Sequence, residues 1–217
     1  MKVLSAPSAR ALIRWWLPAA VVVLVGAQVA AGQSPTIVRV EEDWELVVAD
    51  PDPGTDAPQA SFVISPLDPP YSWFYAAFEV NHRTQPSYQP GGMQVQVWLG
   101  HWLLAHREAS ATALLGTPGE TIRWTTAMYL SEGRLVFEVM GGTSTTWGSF
   151  GTGDLRVALP DVVANLNGYS PSVSLGNSGI GFAANRVGSA VLRQVRRTTA
   201  TGQVLTDDTP RVLYQQN

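Results

Sequence analysis

The chain has 217 residues, with 17 acidic and 14 basic side chains, 3 histidines and no cysteine. Disulfides, thiolate metal sites, iron–sulfur clusters and cysteine nucleophiles are therefore excluded. Three of the bases (Lys2, Arg10, Arg14) stand at the N-terminus, so the remainder sets 17 acids against eleven arginines; that balance argues against a nucleic-acid partner, because phosphate binding needs a basic footprint.

The basic start leads into WWLPAAVVVLVGAQVAAG (15–32), in which Gln28 is the polar break. Small residues at Val29/Ala31 or Ala30/Gly32 suit a signal peptidase, so 1–32 reads as a secretory signal peptide and the product as secreted or held in the cell envelope. The alternative is an uncleaved membrane anchor, since the run sits at the short end of the roughly 17–25 residues that span a bilayer; a membrane is a partner only in that case. Residues 33–217 are of a length for one domain with one core.

Beyond residue 33 helical periodicity is nearly absent, and alternating apolar and polar runs separated by Gly, Pro, Asp and Asn predict an all-β domain. Strands are expected near 36–49, 60–65, 73–83, 92–105, 121–130, 134–140, 154–159, 171–175, 179–185, 188–199 and 210–215. The turns between them fall at DPDPGTDAP (50–58), PLDPP (66–70), TQPSYQPGG (84–92), LLGTPGE (114–120) and SEG (131–133), with GGTSTTWGSFGTG (141–153) as a long loop. LPDVVANLNG (159–168) is the expected helical turn, opened by Pro160 and Asp161 and closed by Gly168.

Side chains two apart share a face of a strand. In the strand near 73–83, Phe74, Ala76, Phe78 and Val80 form the core face, and Trp73, Tyr75, Ala77, Glu79, Asn81 and Arg83 the other. In GMQVQVWLGHWLL, Val95, Val97, Leu99, His101 and Leu103 point inward and Gln94, Gln96, Trp98, Gly100 and Trp102 outward. In TIRWTTAMYL, Arg123, Thr125 and Tyr129 oppose Ile122, Trp124, Thr126 and Met128. Exposing Trp73, Tyr75, Trp98, Trp102 and Tyr129 together is unusual for an inert monomer. The functional expectation is a concave sheet face on which a glycan ring or a peptide stacks, with Glu79, Asn81, Arg83, Gln94, Gln96 and Arg123 as polar partners. The competing expectation is that loops cover these rings, or that a bulge shifts a strand by one residue.

Two stretches carry a family likeness. TIRWTTAMYLSEGRLVFEVMGG (121–142) resembles the strand–turn–strand of laminin G-like and other concanavalin A-like domains, and GIGFAANRVGSAVLRQVRRTTATGQVL (179–205) resembles their closing strands. The resemblance implies a two-sheet antiparallel β-sandwich, a jelly roll of concanavalin A-like type, whose curved sheet often binds glycans. It also bears on VEEDWELVV (40–48). Laminarinase-type glycanases of that fold carry Glu-x-Asp-x-Glu, so the carry-over makes Glu41 the nucleophile, Asp43 the pKa tuner and Glu45 the acid/base, which would have to lean within about 5–5.5 Å of one another for a retaining mechanism. The plainer reading of the acid row is an N-terminal edge strand whose charges deter edge-to-edge pairing. Glu42 then falls on the core side with Val40, Trp44, Leu46 and Val48, an odd place for an acid.

For metals, His82, His101 and His106 lack convergent spacing, and zinc is not expected. Asp50, Asp52 and Asp56, with Asp207 and Asp208, are the candidate calcium ligands; no other cofactor is indicated. No Gly-x-Ser-x-Gly occurs, and the Gly-rich tract lacks the lysine and helix of a phosphate loop. In VLRQVRR (191–197), Arg193 and Arg197 are expected on one face and Arg196 on the other. The reading is an exported, non-catalytic binding or structural module, with glycan or a cell-envelope component as its partner. The rivals are a glycoside hydrolase of the same fold and an extracellular protein–protein module.

Overall fold

Strand β1 (Ile37–Val48) turns Val40, Glu42, Trp44, Leu46 and Val48 into the protein, where all five are buried, and sets Glu41, Asp43 and Glu45 on the other side. It is not an edge strand. It pairs antiparallel with β10 (Val187–Thr199) on one side and with β6 (Thr121–Ser131) on the other. Its charges therefore cannot guard an edge, and their role has to be sought in the strands beside them. The computed structural model describes residues 34–50, 60–67, 74–81, 92–110, 114–160, 163–180 and 187–216.

Around β1 the larger sheet runs β11-β10-β1-β6-β7-β8, where β7 is Arg134–Ser144, β8 Gly148–Phe150 and β11 Val204–Asp207. Two short strands share its flanks: β12 (Arg211–Gln215) pairs with β10, and β9 (Arg156–Pro160) with β7. The second sheet runs β2-β3-β4-β5, with β2 Ala60–Ile64, β3 Phe74–Asn81, β4 Gly92–Leu99 and β5 Trp102–Ser110. All of these pairings are antiparallel. The protein is an all-β sandwich of two antiparallel sheets.

The inner faces meet through aromatic rings. Trp44 and Trp124 of the larger sheet stack at 6.5 Å, and Phe62 of the smaller sheet meets both edge-on at 5.0 and 4.7 Å. Phe78 approaches Trp124 at 5.4 Å, and Phe74 meets Phe137 at 5.9 Å. These offset and edge-on contacts are the arrangements that the ring quadrupole favours. Aliphatic side chains from β1, β3, β4, β7 and β10 fill the space around them.

Four expectations are corrected here. The stretch 92–105 is not one strand: Gly100, at φ 59°, and His101 make a two-residue turn between Leu99 and Trp102, so β4 and β5 form a hairpin. The alternation of Val173 and Leu175 is not a strand but a short helix, α1 (Pro171–Asn177), which Pro171 starts because its fixed φ suits the first helical turn. No helix forms over the described part of 159–168; Arg156–Pro160 is strand. The tract 141–153 is not an open loop but extends β7 and returns as β8, with Trp147 and Phe150 stacked at 5.7 Å. The expected strand at 179–185 lies largely outside the described residues.

Gly142 explains part of the glycine in that tract. A Cβ built there would stand 2.4 Å from the Phe150 ring, below any real contact distance. Gly142→Ala is expected to lower stability by about 1–3 kcal/mol, the usual cost of overpacking a tight site. Urea unfolding checks it; an unchanged midpoint would mean the ring moves aside without cost.

Candidate functional site

The smaller sheet has an outer face made by alternate residues of three strands. The register sets Ser61 opposite Glu79 and Val63 opposite Ala77 between β2 and β3. Between β3 and β4 it sets Glu79 opposite Gln94, Ala77 opposite Gln96 and Tyr75 opposite Trp98. Large rings therefore stand at one end of the face and a carboxyl at the other, with the methyl group of Ala77 between them. The result is a pocket of about 300 Å³ lined by Ser61, Val63, Ser65, Tyr75, Ala77, Glu79, Gln96, Trp98 and Asn177.

Hydrogen bonds fix its walls. The Trp98 indole N–H donates to Gln96 Oε1 at 3.0 Å, and the Gln96 amide donates to Gln94 Oε1 at 2.9 Å, so the side chains of β4 form a ladder whose last member is buried. Asn177 comes from the end of α1, which is tied to the edge of β2 in three ways. Ser61 and Gly179 exchange backbone hydrogen bonds of 2.9 and 2.8 Å, and the Val63 N–H donates to Ser178 Oγ at 2.8 Å. The Asn177 amide itself donates to the Val173 carbonyl at 2.8 Å.

Glu79 is the carboxyl of this pocket. Burial alone pushes it up to about 7, and no hydrogen bond or ion pair from another described residue reaches it. Burial, and then the Glu79 charge, also raise the Tyr75 hydroxyl.

The expected ligand face is thus only partly assembled. Tyr75, Glu79, Gln96 and Trp98 line one pocket, with Gln94 buried behind Gln96. Trp73, Arg83 and the side chain of Asn81 lie outside the described residues. Trp102 is displaced because the Gly100–His101 turn reverses the chain: it pairs with Leu99, on the opposite side from Trp98, and is 75% exposed at the hairpin end. Arg123 and Tyr129 belong to β6, in the other sheet, and stand on its outer face. Alternation showed which residues point away from the core, but not on which side of the sandwich.

That second outer face answers the question raised by the acid row. Glu41 accepts from Arg39 at 2.6 Å and from Arg196 at 2.9 Å. Asp43 is bonded by both terminal nitrogens of Arg196 and by the Thr125 hydroxyl at 2.7 Å. Glu45 bridges Arg123 at 2.7 Å and Arg193 at 2.6 Å. Tyr129 donates to Glu138 at 2.8 Å, and the Arg39 guanidinium lies 4.6 Å above its ring. Burial pushes Glu41 and Glu45 up, but the hydrogen bonds from their arginines outweigh it and hold both carboxyls below their ordinary range. A carboxylate held ionised between two guanidiniums is a poor general acid. Arg193 and Arg196 both reach this row, against the face assignment made from the sequence, because the register of β10 shifts between Gln194 and Leu192.

Glu42, the acid on the core side, is fully buried. Tyr169 donates to Oε1 at 2.8 Å and the Trp44 indole to Oε2 at 3.1 Å. Burial pushes its carboxyl up to about 7, and these donors only partly offset that.

Among the described residues no group of three or more His, Asp or Glu is placed to hold a metal ion. Asp207 is bonded by Arg211 and by the Thr209 N–H, and Asp208 accepts from Gln194. Asp52, Asp56 and His82 lie outside the described residues.

Ser61, Ser65 and Asn177 were not foreseen as pocket residues. Ser61 on β2 and Ser65 just beyond its end alternate with Val63, a signal that becomes useful only once β2 is known to pair with β3. Asn177 had no signal, because it falls between the strands expected at 171–175 and 179–185. Comparisons with known protein families, with curated proteins and with solved structures gave no match.

Proposed function

We propose that the chain is an exported, non-catalytic binding module, and that the pocket on the outer face of the smaller sheet seats one ring of a glycan. The observation that carries this reading is the pairing of Tyr75 with Trp98 across the β3–β4 register, beside Glu79 and the hydrogen-bonded amide of Gln96. Two partly exposed aromatic rings supply apolar area for the faces of a sugar ring, and the polar groups between them select its hydroxyls. Trp98 is held through its own N–H, so little ordering is left for the ligand to impose. The N-terminal apolar run supports export, and the resemblance to concanavalin A-like domains is in keeping with a sugar ligand. The Glu41, Asp43 and Glu45 row is committed to arginines and weighs against a hydrolase built on it.

A protein-binding role has its own support at the β4–β5 hairpin, where Leu99, Trp102, Leu103 and Leu104 are all exposed. The two readings separate on one experiment. A glycan array probed with the full chain is expected to give hits that weaken about tenfold in Trp98→Ala, equivalent to about 1.4 kcal/mol. A folded protein that binds no glycan would remove the sugar reading and leave the hairpin as the interaction surface.

A further inference from the structure

We infer that the ring seated in the Tyr75–Trp98 pocket carries a cationic amine, and that Glu79 is its counter-ion; this rests on the pocket being the ligand site. On the other outer face the half-buried carboxylates are matched. Glu41, Asp43 and Glu45 each have an arginine, at distances down to 2.6 Å. Glu79 is half-buried like Glu41, yet no arginine or histidine among the described residues meets it. A desolvated carboxylate is favoured by a cationic partner, no described residue supplies one to Glu79, and the open space beside it is the pocket.

The remaining lining agrees with a donor-rich, positive guest. Tyr75 and Trp98 offer ring faces, which attract an ammonium group through the quadrupole. Asn177 and Gln96 each already use an amide N–H on a protein acceptor, Val173 O and Gln94 Oε1. Ser65 donates to the Phe74 carbonyl. No described lining residue is cationic, which favours a positive guest over a carboxylate, sulfate or phosphate. The ligand class is an amino sugar with a free amine rather than its N-acetylated or neutral counterpart.

The test titrates the full chain with glucosamine, N-acetylglucosamine and glucose at pH 7, followed by tryptophan fluorescence. Glucosamine is expected to bind at least tenfold tighter than the other two, and the isosteric Glu79→Gln variant, checked for native near-ultraviolet dichroism, is expected to lose that preference while keeping weak binding. Equal affinities in the wild type, or an undiminished preference in Glu79→Gln, would overturn the inference and leave the glycan pocket standing. Absence of binding by all three, together with an empty glycan array, would overturn the inference and the pocket reading together.

Discussion

Glu42→Gln is expected to flatten the dependence of stability on pH between about 4.5 and 7. In the unfolded chain this carboxyl titrates near its ordinary value of 4.5; in the fold, burial pushes it up to about 7. Below the lower value both states are protonated and Glu42 costs nothing. Between the two values the native state holds a proton that the unfolded state has lost, so stability falls as pH rises. Above the upper value the cost is complete, at about 3 kcal/mol, because each tenfold change in proton affinity is worth about 1.4 kcal/mol. Glutamine keeps the shape and stays neutral. Tyr169, which now donates to Oε1 at 2.8 Å, can turn its hydroxyl to accept from the amide. Glu41 and Glu45 do not disturb this window. Their folded values are lowered, so the stability they give is present above 4.5 and is lost only as pH falls further. Glu79 is raised like Glu42 and leaves the variant a residual slope of the same sign. Urea unfolding of wild type and Glu42→Gln across this range checks the prediction, and parallel curves would contradict it.

Trp124→Ala is expected to cost about 3–5 kcal/mol, the range for deleting a large aromatic side chain from a core. Trp124 is buried where the sheets meet, with Phe62 edge-on at 4.7 Å, Phe78 at 5.4 Å and Trp44 stacked at 6.5 Å. Its indole N–H donates to Thr126 Oγ1 at 3.2 Å, so truncation leaves that hydroxyl short of a donor as well as opening a cavity. Phe78 and Phe62 sit on β3 and β2, the strands whose other faces supply Glu79 and Ser61 to the pocket. Trp98→Ala should behave in the opposite way, with stability within about 1 kcal/mol of wild type because its ring lies on the outer face. Chemical unfolding of both variants checks the contrast; equal losses would mean that Trp98 is a core residue.

How far the sequence could be read depended on what alternation can carry. It separated Phe74, Ala76 and Phe78 from Tyr75, Ala77 and Glu79, and it assigned β4 in the same way as far as Trp98. It failed at Gly100–His101, a two-residue turn without the Asn-Gly or Asp-Gly signature of such hairpins, and Trp102 was misplaced as a result. It could not say that Arg123 and Tyr129 lie in a different sheet from Trp98, because strand partnership is set by tertiary packing. The same gap made β1 look like an edge, when the arginines that neutralise its acids arrive from β6 and β10. The inward position of Glu42 was legible from the pattern. Its partner Tyr169 was not, being 127 residues away in the chain.

The two outer faces give the most direct test of where a ligand binds. Trp98→Ala removes a ring from the pocket on the smaller sheet, and Arg123→Ala removes an exposed guanidinium from the ion-paired face of the larger one. Equilibrium binding of wild type and both variants to the strongest array ligand should show about a tenfold loss for Trp98→Ala and none for Arg123→Ala. Loss in Arg123→Ala with Trp98→Ala unaffected would move the site to the opposite sheet and contradict the account.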